Sequence, residues 1–191
     1  MPILDPRNTA LVLIDLQNGI VASDAAPRSA VQVVETAKDL AARFREADAP
    51  VFLVHVGWRG DGADRPSKHV DRASLAASDA ALPPGFSDLV NGLWQEGDTV
   101  VLKRHWGAFT GTDLDLQLRR RKVSTLVVAG IATNFGVEST VRSGWELSYD
   151  MVVVEDACAS RTAELHRFAI DHIFPALARV VAANQIELSK A

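Results

Sequence analysis

A carboxylate, an ammonium group and a turn that lacks a side chain are the parts of this sequence best suited to chemistry. Asp15 lies in the apolar run 9–16, Thr-Ala-Leu-Val-Leu-Ile-Asp-Leu, and is followed by Gln17, Asn18 and Gly19. A carboxylate at the carboxyl end of a buried strand is expensive unless paired, so Asp15 reads either as a loop cap or as a catalytic group. Lys103 follows a second apolar run, 99–102. The third part is the stretch 124–138, Ser-Thr-Leu-Val-Val-Ala-Gly-Ile-Ala-Thr-Asn-Phe-Gly-Val-Glu. Its residues 125–129 suit a strand buried on both faces, and Gly130 is expected to end that strand. Thr133 offers an N-cap hydroxyl to a helix beginning near Asn134, with Val137, Val141 and Trp145 recurring every four residues. Free amides on Phe135, Gly136 and Val137 would then favour an anion or a developing oxyanion.

These groups meet only if the chain folds to bring them together. Strands are expected at 9–16, 51–56, 99–102, 125–129, 151–155 and 179–182. Ser29 and Gln32 form a capping-box pattern ahead of an apolar face of Val33, Val34, Ala37, Leu40, Ala41 and Phe44, and that helix stops before Pro50. Residues 113–118 alternate as a strand would. A helix is favoured, because Thr112 can cap it, acids fill its first turn and the basic run 119–122 its last. Leu165, Ala169, Ile173 and Ala176 mark a final long helix. Strands alternating with helices give an α/β fold of three layers with a parallel sheet, in which ligands bind beyond the carboxyl ends of the strands. If the third strand lies two places from the first, about 10 Å separates Asp15 from Lys103, and a lysine side chain spans most of that. The two groups would then adjust each other's pKa.

Other side chains fall on the same edge. His55, Trp58 and Arg59 end the second strand, and the irregular excursion 57–98 is read as substrate-facing, with Arg59, Arg65 and Lys68 as cations for an acidic substrate. Trp58, Trp106, Phe109 and Phe135 could wall a pocket. Cys158 is the single cysteine, placed in a turn at 156–160, and is read as structural. The chain of 191 residues, 48% hydrophobic and 23% charged, suits one domain spanning 1–191. A net charge of −4 gives no reason to expect a nucleic-acid partner. No apolar stretch is long enough to span a bilayer, so no membrane partner and a cytoplasmic location are expected.

The order Leu-Ile-Asp15-Leu-Gln17-Asn18, then Lys103 with Gly-Ala-Phe109, then Gly130-Ile-Ala-Thr-Asn-Phe-Gly136-Val-Glu-Ser-Thr resembles the isochorismatase-like hydrolase superfamily over nearly the whole chain. It looks closest to an uncharacterised bacterial branch that reads Trp-Gly-Ala-Phe and Gly-Val-Glu-Ser-Thr. The resemblance implies an α/β/α sandwich with a six-stranded parallel sheet in the order 3-2-1-4-5-6, and a homo-oligomer, dimer or tetramer. Most such hydrolases use an Asp-Lys-Cys triad. Asp15 and Lys103 match the first two members, and Gly136 stands where the cysteine would be, which removes the covalent route. The resemblance also implies a cis peptide at Ile131–Ala132, aiming the amides of Ala132 and Gly136 into the pocket.

The metal site of nicotinamidases is not implied, since His55 supplies one ligand and not a set; no metal and no cofactor are expected. True isochorismatases are similar in carrying glycine at the cysteine position, and they hydrolyse a vinyl ether by protonating the enol carbon and capturing the cation with water. Asp15 and Lys103 are compatible with that chemistry. Those enzymes usually read Tyr-Ala-His-Ile-Gly where this chain has Ala132, Thr133, Asn134, Phe135 and Gly136, so the substrate stays open. Gln17, His55, Trp58, Arg59, Trp106, Phe109 and residues 132–135 are the expected substrate contacts. The expected function is hydrolysis of a small anionic metabolite with Asp15 as general acid or base. The alternatives are an inactive ligand- or partner-binding member of the family and an amidase using another nucleophile, Cys158.

Overall fold

In the computed structural model, which describes residues 3–66, 69–71 and 81–189, the apolar runs form one parallel sheet. The elements in chain order are β1 (Ile3–Leu4), β2 (Thr9–Ile14), α1 (Asn18–Val21), α2 (Ala30–Glu46), β3 (Val51–Val56), β4 (Thr99–Lys103), α3 (Leu114–Arg120), β5 (Thr125–Ile131), α4 (Glu138–Glu146), β6 (Asp150–Ala159), α5 (Ala163–Phe168), β7 (Arg179–Val181) and β8 (Glu187–Leu188). The main sheet runs β4-β3-β2-β5-β6-β7 with every pairing parallel. Counted within that sheet alone, this is the order 3-2-1-4-5-6. A small parallel pair, β1 with β8, ties the chain ends together.

Every residue of β2 and of β5 is buried, odd and even positions alike, so layers cover both faces of the sheet. The α/β/α sandwich follows from that. Helix α2 supplies part of the cover, packing on β2, β3, β5 and β6 through Val33, Val34, Ala37, Leu40, Ala41 and Phe44, all buried. Its capping box forms as the sequence predicts: the Ser29 hydroxyl accepts from the Gln32 amide at 3.2 Å, and the Gln32 side chain accepts from the Ser29 amide at 3.0 Å. Residues 114–120 are helical, but Asp113 rather than Thr112 holds the N-cap position; the Thr112 hydroxyl, one residue earlier, accepts from the Leu114 amide at 3.2 Å.

Four expectations change. Gly130 does not end β5. The strand passes through it with φ +133, and a Cβ there would lie 2.1 Å from the Ile14 carbonyl oxygen, so only glycine lets β2 and β5 come this close. Residues 156–159 are not a turn. β6 continues to Ala159, because a register shift after Val128 lets Cys158 and Ala159 pair with Gly130 and Ile131. The helix after β5 opens with a π-helical turn, Thr133–Val137, before α4 begins, and Trp145 is exposed. The final helix is likewise broken: α5 passes into a π-helical turn, Ala169–Ile173, and a 3₁₀ turn, Phe174–Ala176. The buried face runs through His166, Ala169, Ile170 and Phe174, and Leu165 is exposed.

Candidate active site

The order of the sheet reverses direction at β2, and the carboxyl ends of β2, β3, β4 and β5 surround one crevice edge. Asp15 follows β2 directly, in the left-handed region at φ +55, with its amide donating to the Val54 carbonyl at 2.8 Å. Lys103 ends β4, two strands away, and its side chain crosses β3 to place Nζ 2.8 Å from Asp15 Oδ2. A second donor bond from Nζ reaches the His105 carbonyl at 3.0 Å. Lysine 103 is 1% exposed and Asp15 6%, so the ion pair lies in a low-dielectric setting where each charge depends on the other.

Asp15 Oδ1 has no hydrogen-bond partner, although it is buried. Burial pushes the Asp15 carboxyl above the usual carboxylate range, against the opposing pull of Lys103 and a smaller one from His55. One oxygen is therefore committed to a cation, and the other is a buried acceptor without a partner.

Gly136 closes the site from the β5 side. The Ile131–Ala132 peptide is cis, as the resemblance implies, and leads into the turn Thr133–Val137. A Cβ on Gly136 would lie 3.1 Å from Asp15 Oδ2, 3.0 Å from Ile14 Cγ2 and 3.5 Å from the Trp106 carbonyl oxygen. The turn's amides are not all free, contrary to the sequence expectation: Phe135 and Val137 both donate to the Ala132 carbonyl, at 3.1 and 3.2 Å. The Trp106 and Phe135 rings meet at 4.7 Å beside Gly136, and Trp106 is 46% exposed, which makes this pair the aromatic rim of the site.

Several predicted contacts do other work. Gln17 is fully buried with its amide spent on backbone: Nε2 donates to the Val56 and Phe86 carbonyls at 2.9 and 3.0 Å, and Oε1 accepts from the Val56 amide at 2.7 Å. His55 Nδ1 donates to the Ser87 carbonyl at 2.7 Å. Together they fasten the end of the 57–98 excursion beside Asp15, where the Asn18 and Gly19 amides also bond to Asp88 and Phe86. Trp58 donates from Nε1 to the Arg104 carbonyl at 2.9 Å, under the Arg65 guanidinium. Arg59 is exposed and pairs with Asp61 at 3.4 Å. Lys68 lies outside the described residues. Phe109 is not at the rim. It stacks on Tyr149 and packs against Gly144 near the far end of α4, because the chain turns away from the site after Trp106.

Thr133 does not cap a helix, since Ala132 holds that position; its hydroxyl bonds instead to His166 Nδ1 at 2.8 Å. Asn134 is bonded to the Ser160 hydroxyl. His166 was invisible to a reading based on Leu165 and Ala169, whereas the spacing His166, Ile170, Phe174 would have found it. Cys158 sits fully buried in β6, and burial pushes its thiol up to about 12, which makes it an inert group rather than a nucleophile. Among the described residues no three His, Cys, Asp or Glu side chains gather to hold a metal.

This chain is similar throughout its length to known proteins. The isochorismatase domain model matches residues 9–185. An uncharacterized isochorismatase family protein of Escherichia coli O157:H7, YecD, is 47% identical over 191 residues, with 96% of each chain covered. Ureidoacrylate amidohydrolase RutB of Methylobacterium radiotolerans is 35% identical over 89% of this chain and 74% of its own. The solved structure of an isochorismatase family protein from Burkholderia thailandensis superposes with a TM-score of 0.91 at 44% identity, covering 97% of this chain and 96% of that one.

Proposed function

The chain belongs to the isochorismatase family of hydrolases, and from that premise we propose that it hydrolyses a small anionic metabolite without a cysteine nucleophile, Asp15 acting as general acid with Lys103. The observation that carries this reading is the buried Asp15 carboxyl, with Oδ2 held by Lys103 at 2.8 Å, Oδ1 unpartnered, and no side chain on Gly136 beside it. By the resemblance, Gly136 stands where related hydrolases carry their nucleophile. A protonated Oδ1 can deliver its proton to an enol carbon, water then adds to the cation and returns a proton to the carboxylate, and the hemiketal so formed breaks its C–O bond to release the alcohol and the carbonyl product.

The Trp106–Phe135 rim supports a small, partly apolar substrate, and Arg59, exposed and paired with Asp61 at 3.4 Å, offers donors for its negative charge. His55 and the peptide units of residues 132–135 complete the substrate's surroundings in this reading. The chain is taken as one domain, 1–191, that works in the cytoplasm as a homo-oligomer; Val100 and Leu102, left exposed on the edge strand β4, support the last point. No helix of the described residues is long and apolar enough to cross a membrane.

Pyruvate release from isochorismate tests the chemistry, with ureidoacrylate, the substrate in RutB's name, as the amide comparison. Release by wild type and its loss in Asp15→Ala and Lys103→Ala is the expected result. Amide hydrolysis instead would favour a different nucleophile. Ligand-induced thermal stabilisation with no product from either compound would make the protein a binding member of its family.

A further inference from the structure

The turn Thr133–Val137 brings Gly136 against Asp15, and it must be held by something outside itself. Thr140 donates to the Gly136 carbonyl at 2.6 Å and accepts from the Ala108 amide at 3.1 Å, which ties the end of the turn to the segment after Lys103. Asn134 is held at a part-buried position by Ser160. The start of the turn has a buried side-chain anchor of its own in Thr133, whose hydroxyl lies 2.8 Å from Nδ1 of His166 on α5.

His166 has no other polar occupation. It is 1% exposed, its Nε2 makes no hydrogen bond, and the nearest carboxylate oxygen, Glu155 Oε1, stands 4.0 Å away and is itself paired with Arg28 at 3.5 Å. Burial and the charge of Arg28 hold its pKa below the usual histidine value, so the ring is neutral. A half-satisfied buried imidazole is a costly choice over an apolar side chain, and the one bond it makes is to Thr133. Thr133 is fully buried and its hydroxyl is engaged with His166.

We propose that His166 is a positioning residue of the site, acting through Thr133 to fix the turn that sets Gly136 against Asp15. The assignment rests on the reading of Asp15, Lys103 and Gly136 as the active site, but its test does not need turnover. A thiol introduced by Gly136→Cys serves as a reporter: its Cβ lies 3.1 Å from the oxygen that Lys103 holds, and a neighbouring ammonium lowers a thiol's pKa. Its alkylation rate by iodoacetamide at pH 7 therefore reads the placement of the turn. Cys158, buried and inert, is the internal control, since it reacts only if the core opens.

In the Gly136→Cys background, His166→Phe removes the bond to Thr133, and His166→Asn keeps an amide group where Nδ1 was. The expected result is a rate about tenfold lower for His166→Phe, equivalent to one unit of thiol pKa, with recovery in His166→Asn and Cys158 protected in both. An unchanged rate in His166→Phe overturns the proposal, as does a loss that His166→Asn fails to restore. Should His166→Phe expose Cys158, Thr133→Val and Thr133→Ser decide the matter: slow reaction in the first and recovery in the second support the proposal, and equal rates refute it. Absence of pyruvate release alongside the expected alkylation pattern would remove the proposed reaction and leave the positioning role intact.

Discussion

Replacing Lys103 with methionine keeps the length of the side chain and removes its charge. Asp15 Oδ2 then loses its 2.8 Å donor while Oδ1 already has none, so a buried carboxylate is left with no partner. Breaking a buried pair in this way costs about 3–5 kcal/mol. For a chain of this length that corresponds to a fall in Tm of about 6–20 °C, at about 2–4 °C per kcal/mol. The loss must depend on pH. Burial already holds the Asp15 pKa above its ordinary value, and without Lys103 it rises further. A carboxyl whose pKa is higher in the folded state stabilises the fold fully below its unfolded pKa of about 3.9, and that contribution is lost as pH rises through the folded pKa, by up to about 1.4 kcal/mol per unit. Lys103→Met should therefore approach wild type near pH 4, where Asp15 is protonated, and fall furthest behind at pH 8. Adding Asp15→Asn removes the stranded charge and should restore most of the stability at pH 8. Urea unfolding followed by circular dichroism at pH 4 to 8 measures both effects. An equal penalty at every pH, or a double variant no better than Lys103→Met alone, would refute the reasoning.

Gly130→Ala should destabilise by at least about 3 kcal/mol, because its Cβ would stand 2.1 Å from the Ile14 carbonyl oxygen at a φ that side chains rarely adopt; the urea midpoint reads the loss. Gln17→Leu removes the buried acceptor of the Val56 amide and one donor from each of the Val56 and Phe86 carbonyls, which keep the Ser87 hydroxyl and the Gly19 amide. It should cost about 1–3 kcal/mol and raise hydrogen exchange at the Asn18 and Gly19 amides, which depend on residues 86–88; unchanged exchange there would show that Gln17 does not hold this segment.

The sheet was legible because β2 and β5 are buried on both faces and so read as continuous apolar runs, and Asp15 and Lys103 were legible because each interrupts such a run at its carboxyl end. Local patterns failed where a distant contact sets the conformation. Gly130 reads as a breaker, yet it is inside a strand because β2 needs the room of its missing Cβ. Gln17 and Phe109 have the chemistry of pocket residues, but backbone groups of residues 56 and 86 claim the first, and Tyr149 claims the second. His166 falls off the expected face because that face was anchored on Leu165, which is exposed, whereas His166, Ile170 and Phe174 recur at helical spacing one position later.

In the proposed reaction the missing side chain at position 136 has an electrostatic consequence beyond the loss of a nucleophile. A polar group there would stand about a hydrogen bond's length from Asp15 Oδ2, the oxygen that Lys103 already holds, and would compete with the ammonium for it. With glycine, Oδ2 stays committed to Lys103 and Oδ1 is the oxygen left without a partner. Before proton transfer the pair is a neutral acid beside a cation; afterwards it is a carboxylate beside the same cation, and in a low-dielectric site that attraction strengthens as the proton departs. The stabilisation therefore acts on the charge that develops during the reaction, which is what general acid catalysis requires. Burial raises the Asp15 pKa and Lys103 lowers it, so the two influences oppose each other on the carboxyl whose proton the proposed reaction uses.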